Sequence, residues 1–166
     1  ALKAADFLYD TAEIRIASAG DYVIAFDRGG IADSMAAIAL PDTSTRLYTG
    51  EDMRRDMGMV PCLLVVGAGR VARGEVMSGQ LFIRAHAPGH LLPLLTHVLT
   101  SDDKAKLDGL DTYRRFEHVF PEVGAEINAA LSRDPIDSAL GLLDIYERVL
   151  HDVDGYPADA VATVRD

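Results

Sequence analysis

Read for hydrophobic periodicity, the chain alternates between strand-like and helix-like stretches. Its most continuous apolar run is Val60-Pro61-Cys62-Leu63-Leu64-Val65-Val66, which carries no charge and is ended by Val66-Gly67-Ala68-Gly69. A short uncharged run rich in β-favouring residues predicts a strand buried on both faces, with Pro61 at its start, where a missing N–H is tolerated. It is too short for a membrane span, which takes about 20 apolar residues. Upstream, Ile14 and Ile16 alternate with polar or small neighbours, and Tyr22-Val23-Ile24-Ala25-Phe26 reads as a strand ending in Asp27. Ile31, Met35, Ile38 and Ala39 fall at helical spacing before Pro41. Arg46-Leu47-Tyr48 predicts a short strand, and residues 51–58 a charged surface helix with Gly58 at its C-cap.

Beyond the central run, residues 70–78 are polar and broken by glycine, as in a loop or hairpin arm, and Gln80-Leu81-Phe82-Ile83-Arg84-Ala85 predicts the next strand. Leu91, Leu94, Leu95, Val98 and Leu99 form one helical stripe, with Pro88 and Pro93 near its first turn. Ser101-Asp102-Asp103 ends that helix and caps a short turn over 104–107, and residues 112–116 read as a strand. A helix follows over 119–131, with Val123, Ile127 and Ala130 on one face. Asp134-Pro135 supplies an N-cap and a first-turn proline for a helix over 136–143. Residues 145–150 either extend that helix or form a last strand, before a turn at Asp152-Val153-Asp154-Gly155. This alternation predicts an α/β fold: a central mixed β-sheet of about five or six strands flanked by helices, in one layered domain.

At 166 residues the chain is long enough to bury a core without staples. Its formal charge of −10 argues against nucleic acid or an anionic membrane as the main partner, since both select clustered Lys and Arg. The single cysteine, Cys62, excludes an internal disulfide and a Cys-rich zinc site, and its place in the apolar run assigns it to the core. With no basic and apolar leader at the start, the expected compartment is the cytoplasm; the opening Ala1 puts the natural start upstream or marks a trimmed end.

Candidate chemistry is sparse. Gly67, Gly69 and Ala72 fit the G-x-G-x-x-A pattern that cradles a dinucleotide pyrophosphate between a strand and a helix. Yet Gly74, Ser78 and Gly79 interrupt the helix that must follow, and the acidic ribose ligand is missing; a turn between two strands explains the same glycines. A nucleotide-binding enzyme or sensor is therefore the alternative reading. His86, His90 and His97 cluster in sequence, but Pro88-Gly89 separates the first two and no acid or cysteine completes a ligand set, so no metal is expected. No Ser occupies a hydrolase elbow, and neither Asp102-Asp103 nor Asp152/Asp154 continues into a calcium loop. Arg114-Arg115, between Tyr113 and Phe116, could hold a phosphate, anchor a protein partner, or pair Glu117 or Glu122.

The order of these motifs resembles a family. Tyr22-Val23-Ile24-Ala25-Phe26-Asp27, Leu47-Tyr48-Thr49-Gly50 and Pro61-Cys62-Leu63-Leu64-Val65 are similar, in order, to motifs of the effector adaptors of bacterial type VI secretion, domain of unknown function 4123. So are Gly79-Gln80-Leu81-Phe82-Ile83, the helix with Leu94, Leu95 and His97, and the closing Gly141-Leu142-Leu143-Asp144-Ile145-Tyr146. Tyr113-Arg114-Arg115-Phe116-Glu117-His118 keeps part of the family's aromatic-Arg-Phe-Tyr-Asp-Pro run without its Asp-Pro, and the family's tryptophans are absent. The resemblance covers about residues 22–155 and implies a non-enzymatic chaperone, without cofactor, that binds a secreted effector and loads it onto the secretion spike. Tyr113, Arg114 and Phe116 are the expected partner-binding residues, because aromatic and Arg side chains dominate interface energetics.

Overall fold

The computed structural model describes residues 26–30, 32–33, 48–107, 111 and 113–165. The chain divides into two compact units, Ala1–Leu47 and Tyr48–Asp166. In the first, the Asp27 carboxylate accepts the backbone N–H groups of Gly29 at 2.9 Å and Ala32 at 2.8 Å. Ala32 and Asp33 are helical, and the rest of the helix expected over 31–40 lies outside the described residues. So do the strands expected over 14–16, 22–26 and 46–48, apart from Phe26 and Tyr48, which lie in no regular element.

The second unit corrects the α/β expectation: among the described residues there is no strand and no sheet. A long helix α1 (Gly50–Ala72) is followed by α2 (Val76–Leu81), a π-helical turn (Phe82–His86) and α3 (Ala87–Val98). After a 3-10 turn (Lys104–Lys106) come α4 (Phe116–Val119), α5 (Pro121–Leu131), α6 (Pro135–Leu150) and α7 (Ala158–Arg165). Among the described residues no helix is long and apolar enough to cross a membrane.

The predicted central strand is the middle of α1. Buried residues recur along α1 at Asp52, Asp56, Met57, Val60, Leu63, Leu64 and Gly67, one face at a spacing of three or four. The helix begins in a capping box. Thr49 Oγ1 accepts the Asp52 N–H at 3.1 Å, and the Asp52 carboxylate accepts the Thr49 N–H at 3.2 Å. Gly58 lies exposed within the helix rather than at its end, and Cys62, assigned to the core from sequence, is exposed. Pro61 sits inside the helix, where it has no N–H for the carbonyl four residues back, that of Met57. The fully buried Tyr146 of α6 supplies the missing donor, its hydroxyl reaching the Met57 carbonyl at 2.8 Å.

Beyond Ala72 the chain reverses at Gly74 (φ +84°), and the segment through α3 runs back along α1. The predicted strand over 80–85 is the end of α2 and the π turn. A Cβ on Gly67 would stand 2.6 Å from Ile83 Cγ1, and one on Gly79 2.5 Å from Val71 Cγ2 and 2.7 Å from the Gly67 carbonyl. The backbones approach too closely there for any side chain. Of the strand expected over 112–116, residues 113–115 are a turn and Phe116 opens α4; residue 112 lies outside the described residues. Helices appear where amphipathic stripes and caps predicted them: the first part of α1, then α3, α5 and α6, with Pro135 in the first turn of α6. Residues 145–150 extend α6, the first of their two readings.

Two predictions follow from this packing. Tyr146→Phe leaves the Met57 carbonyl buried without a donor and costs about 1–3 kcal/mol in urea unfolding; in a Pro61→Ala background, which restores the N–H, the cost falls. Burial and the neighbouring Tyr156 also hold the Tyr146 phenol above its ordinary range. The unfolded phenol ionises near pH 10 while the folded one stays neutral. Its contribution is thus complete below that pH and is lost as pH rises toward the folded value, and Tyr146→Phe flattens the alkaline slope. Separately, Gly79→Ala costs about 1–3 kcal/mol through overpacking, whereas Gly58→Ala, in open helix interior, stabilises by about 0.5–1 kcal/mol. Thermal unfolding of the two variants distinguishes a packing glycine from a replaceable one.

Candidate functional site

The segment entering α4 is shaped by Asp111. Its carboxylate accepts the Tyr113 N–H at 2.9 Å, and its carbonyl accepts the Arg114 N–H at 3.1 Å. Arg115 then takes a left-handed conformation (φ +65°), which costs a non-glycine residue about 1 kcal/mol or more. Its guanidinium reaches the Lys106 carbonyl at 3.3 Å. This reversal turns Phe116 inward, ring against Phe120 at 5.2 Å, and brings the Tyr113 hydroxyl to the Ala85 carbonyl at 3.0 Å. Ala85 belongs to the π turn that directly precedes Pro88, a residue with no N–H to give the carbonyls upstream and a ring that crowds them.

Between α3, α4 and α5 lies a pocket of about 80 Å³. Its walls are apolar: Pro88 and Leu92 from α3, Phe116 from α4, Ile127 and Leu131 from α5. Gly124 brings α5 against α4, since a Cβ there would lie 2.9 Å from Glu117 Cα. The rim is polar. Tyr113 is 47% exposed, and Asn128 donates to Glu117 Oε1 at 3.4 Å. Arg84 ties two of the walls together by donating from its guanidinium to the Leu131 and Arg133 carbonyls, each at 2.6 Å. Partial burial, with the Asp111 charge nearby, pushes the Tyr113 phenol up.

Of the three partner-binding residues expected from sequence, the structure brings Tyr113 and Phe116 together on this pocket. Phe116 is only 3% exposed, so it forms the floor and not a free anchor. Arg114 is exposed on the same turn but does not line the pocket. Glu117 meets Asn128 rather than an arginine. Sequence reading missed Ile127 and Leu131 as site residues, since both appeared there only as part of a helix.

The glycine pattern is not the strand–turn–helix that a dinucleotide needs. Gly67, Gly69 and Ala72 lie inside the last turns of α1, not in a turn that follows a strand, and Gly67 serves the contact with Ile83 and Gly79. The three histidines also separate. His86 meets Phe82 edge-on at 5.2 Å, His90 Nδ1 is 2.9 Å from Asp56 Oδ1, and the His97 ring lies 5.3 Å from that of Tyr48. Among the described residues no group of three or more His, Cys, Asp or Glu is placed to hold a metal ion.

A second polar cluster surrounds Asp56, which sequence reading did not single out. The buried carboxylate accepts from the Tyr48 hydroxyl at 2.8 Å and Arg55 Nε at 2.9 Å, as well as from His90, which therefore carries its proton on Nδ1. Arg55 also bridges to Asp52 at 2.8 Å. Burial, then the hydrogen bond to Asp56 and its charge, raise the Tyr48 phenol. The cluster clamps the start of α1 onto α3. Its only sequence signal was Thr49-x-x-Asp52, which announces a helix cap.

Asp56→Asn removes the charge on which three donors converge and lowers stability by about 1–3 kcal/mol in urea unfolding, while leaving the pocket intact. The chemical shifts of residues 124–131 check the second half of that statement.

Comparison with family models, with curated proteins and with solved structures gave no match.

Proposed function

We propose that the chain works by holding a partner protein, and that the contact point of its second unit is the pocket between Tyr113, Phe116 and α5. One observation carries this reading. Tyr113 and Phe116, selected from sequence as interface anchors, join Pro88 and Leu92 of α3 and the face of α5 in lining one concavity with apolar walls and a polar rim. That is the chemistry of an interface hot spot: a desolvated pocket flanked by a partly exposed aromatic side chain.

The secretion-adaptor resemblance adds a partner class, an effector awaiting loading onto the spike. Two of the motifs behind it, 61–65 and 79–83, predict strands and are helical in the structure. Support for the binding role therefore comes from the pocket, and the cargo is the object of the test.

A photoactivatable benzoylphenylalanine placed at Asn128, on the rim, is expected to give a discrete adduct in the source cell, identifiable by mass spectrometry. Tyr113→Ala weakens that partner about tenfold or more, while the change in stability stays within about 1 kcal/mol, because the lost hydrogen bond is exposed. An adduct pattern identical to that of a probe at Ala162, or one indifferent to Tyr113→Ala, removes the pocket from the binding surface.

A further inference from the structure

The pocket's charge complementarity also names the side chain that fills it. Its lining carries one ionised group, the Glu117 carboxylate, and no cation. Several other carboxylates of the second unit have an arginine beside them: Glu126 has Arg148, Asp144 and Glu147 have Arg165, and Asp52 and Asp56 have Arg55. Among the described residues Glu117 makes no ion pair, and the long contact from Asn128 leaves its carboxylate at the mouth of an apolar slot. At about 80 Å³ the slot is roughly half the volume of a cavity that takes up benzene, so it suits a slim aliphatic chain better than a ring.

Building on the binding reading above, we infer that the pocket takes a lysine or arginine side chain of the partner. The methylene stem lies against Leu92, Ile127 and Leu131, the cationic head meets Glu117, and the Tyr113 ring is available to the same charge. A stem that needs an apolar wall and a head that needs a carboxylate and a wet rim are the two halves of this site. The chain's formal charge of −10 favours encounter with a basic segment in the same direction.

The test is titration of the ¹⁵N-labelled protein with the acetyl, methylamide-capped derivatives of lysine, arginine and leucine, followed by amide shifts. The lysine and arginine derivatives are expected to move residues 113–117 and 124–131, at least about tenfold more tightly than leucine. Their affinity is expected to fall about tenfold in Glu117→Gln and to weaken with salt. Asn128→Lys, which places a cation on the rim of the folded pocket, abolishes the response. Leucine binding as tightly as lysine, with Glu117→Gln indifferent, overturns the charge assignment while leaving an apolar anchor pocket. Cationic derivatives that shift other regions and ignore Glu117→Gln overturn it as well. No shift in the pocket from any of the three probes overturns both this inference and the binding reading on which it rests.

Discussion

A proline inside a long helix leaves a carbonyl without a donor, and in this protein the hydroxyl of Tyr146 fills the gap. The contact is fully buried, so water cannot substitute, and either partner alone would be costly. Because Met57 stands on α1 and Tyr146 on α6, the repair of a local backbone defect becomes the link between the two longest helices. Tyr156 stacks on the other face of the arrangement, with ring centroids 5.7 Å apart from Tyr146, and carries the chain toward α7. Arg165 then pins α7 to Asp144 and Glu147 of α6. One missing N–H thus organises how α6 and α7 meet the central helix.

Along α1 this pin is one of three kinds of contact, each suited to its neighbour. At the start, charge does the joining: Asp56 collects Tyr48, Arg55 and His90, and α3 is drawn in through its histidine. Near the end, absence of a side chain does it, because Gly67 and Gly79 let the returning segment touch backbone to backbone. Between them lies ordinary apolar packing, in which Val60, Leu64, Leu91, Leu94 and Leu95 are fully or almost fully buried. With one side of α3 committed to α1 in this way, Pro88 and Leu92 are left to wall the pocket on another.

The sequence was legible where a helix advertised itself by a stripe with punctuation, as in Asp134-Pro135 before α6 or the leucines of α3. It misled where a stripe and a run coincided. Val60 to Val66 is uniformly apolar although Cys62 and Val65 are exposed, and a run of that length fits a buried strand as well as a buried helix turn. The deciding signal was longer in range: Met53, Met57, Val60, Leu64, Gly67 and Val71 keep helical spacing straight through the supposed strand. Pro61 hid this, since interior prolines argue against helices, and nothing nearby in sequence reveals that Tyr146 will meet the carbonyl it frees. The site was half visible for a similar reason. Tyr113 and Phe116 stand out by residue type, whereas Ile127, Leu131 and Glu117 become site residues only once α4 and α5 fold together at Gly124.

Two departures from regular backbone converge beside that pocket, and their joint placement has a mechanical sense. The π turn over Phe82–His86 widens the helix before Pro88, and the left-handed Arg115 reverses the chain before α4. Each costs free energy that the surrounding contacts must offset, among them the burial of Ile83 and Phe116. They meet in one hydrogen bond, Tyr113 hydroxyl to Ala85 carbonyl, while Arg84 of the same π turn holds the end of α5. The outcome is a pocket whose floor is buried core and whose rim is held by exposed hydrogen bonds, Tyr113 to Ala85 and Asn128 to Glu117. The buried Phe116 fixes depth and shape, and the half-exposed Tyr113 is tied through its hydroxyl by a bond open to water. Under the proposed binding role, a buried floor and a polar rim let a side chain enter without any opening of the helix bundle.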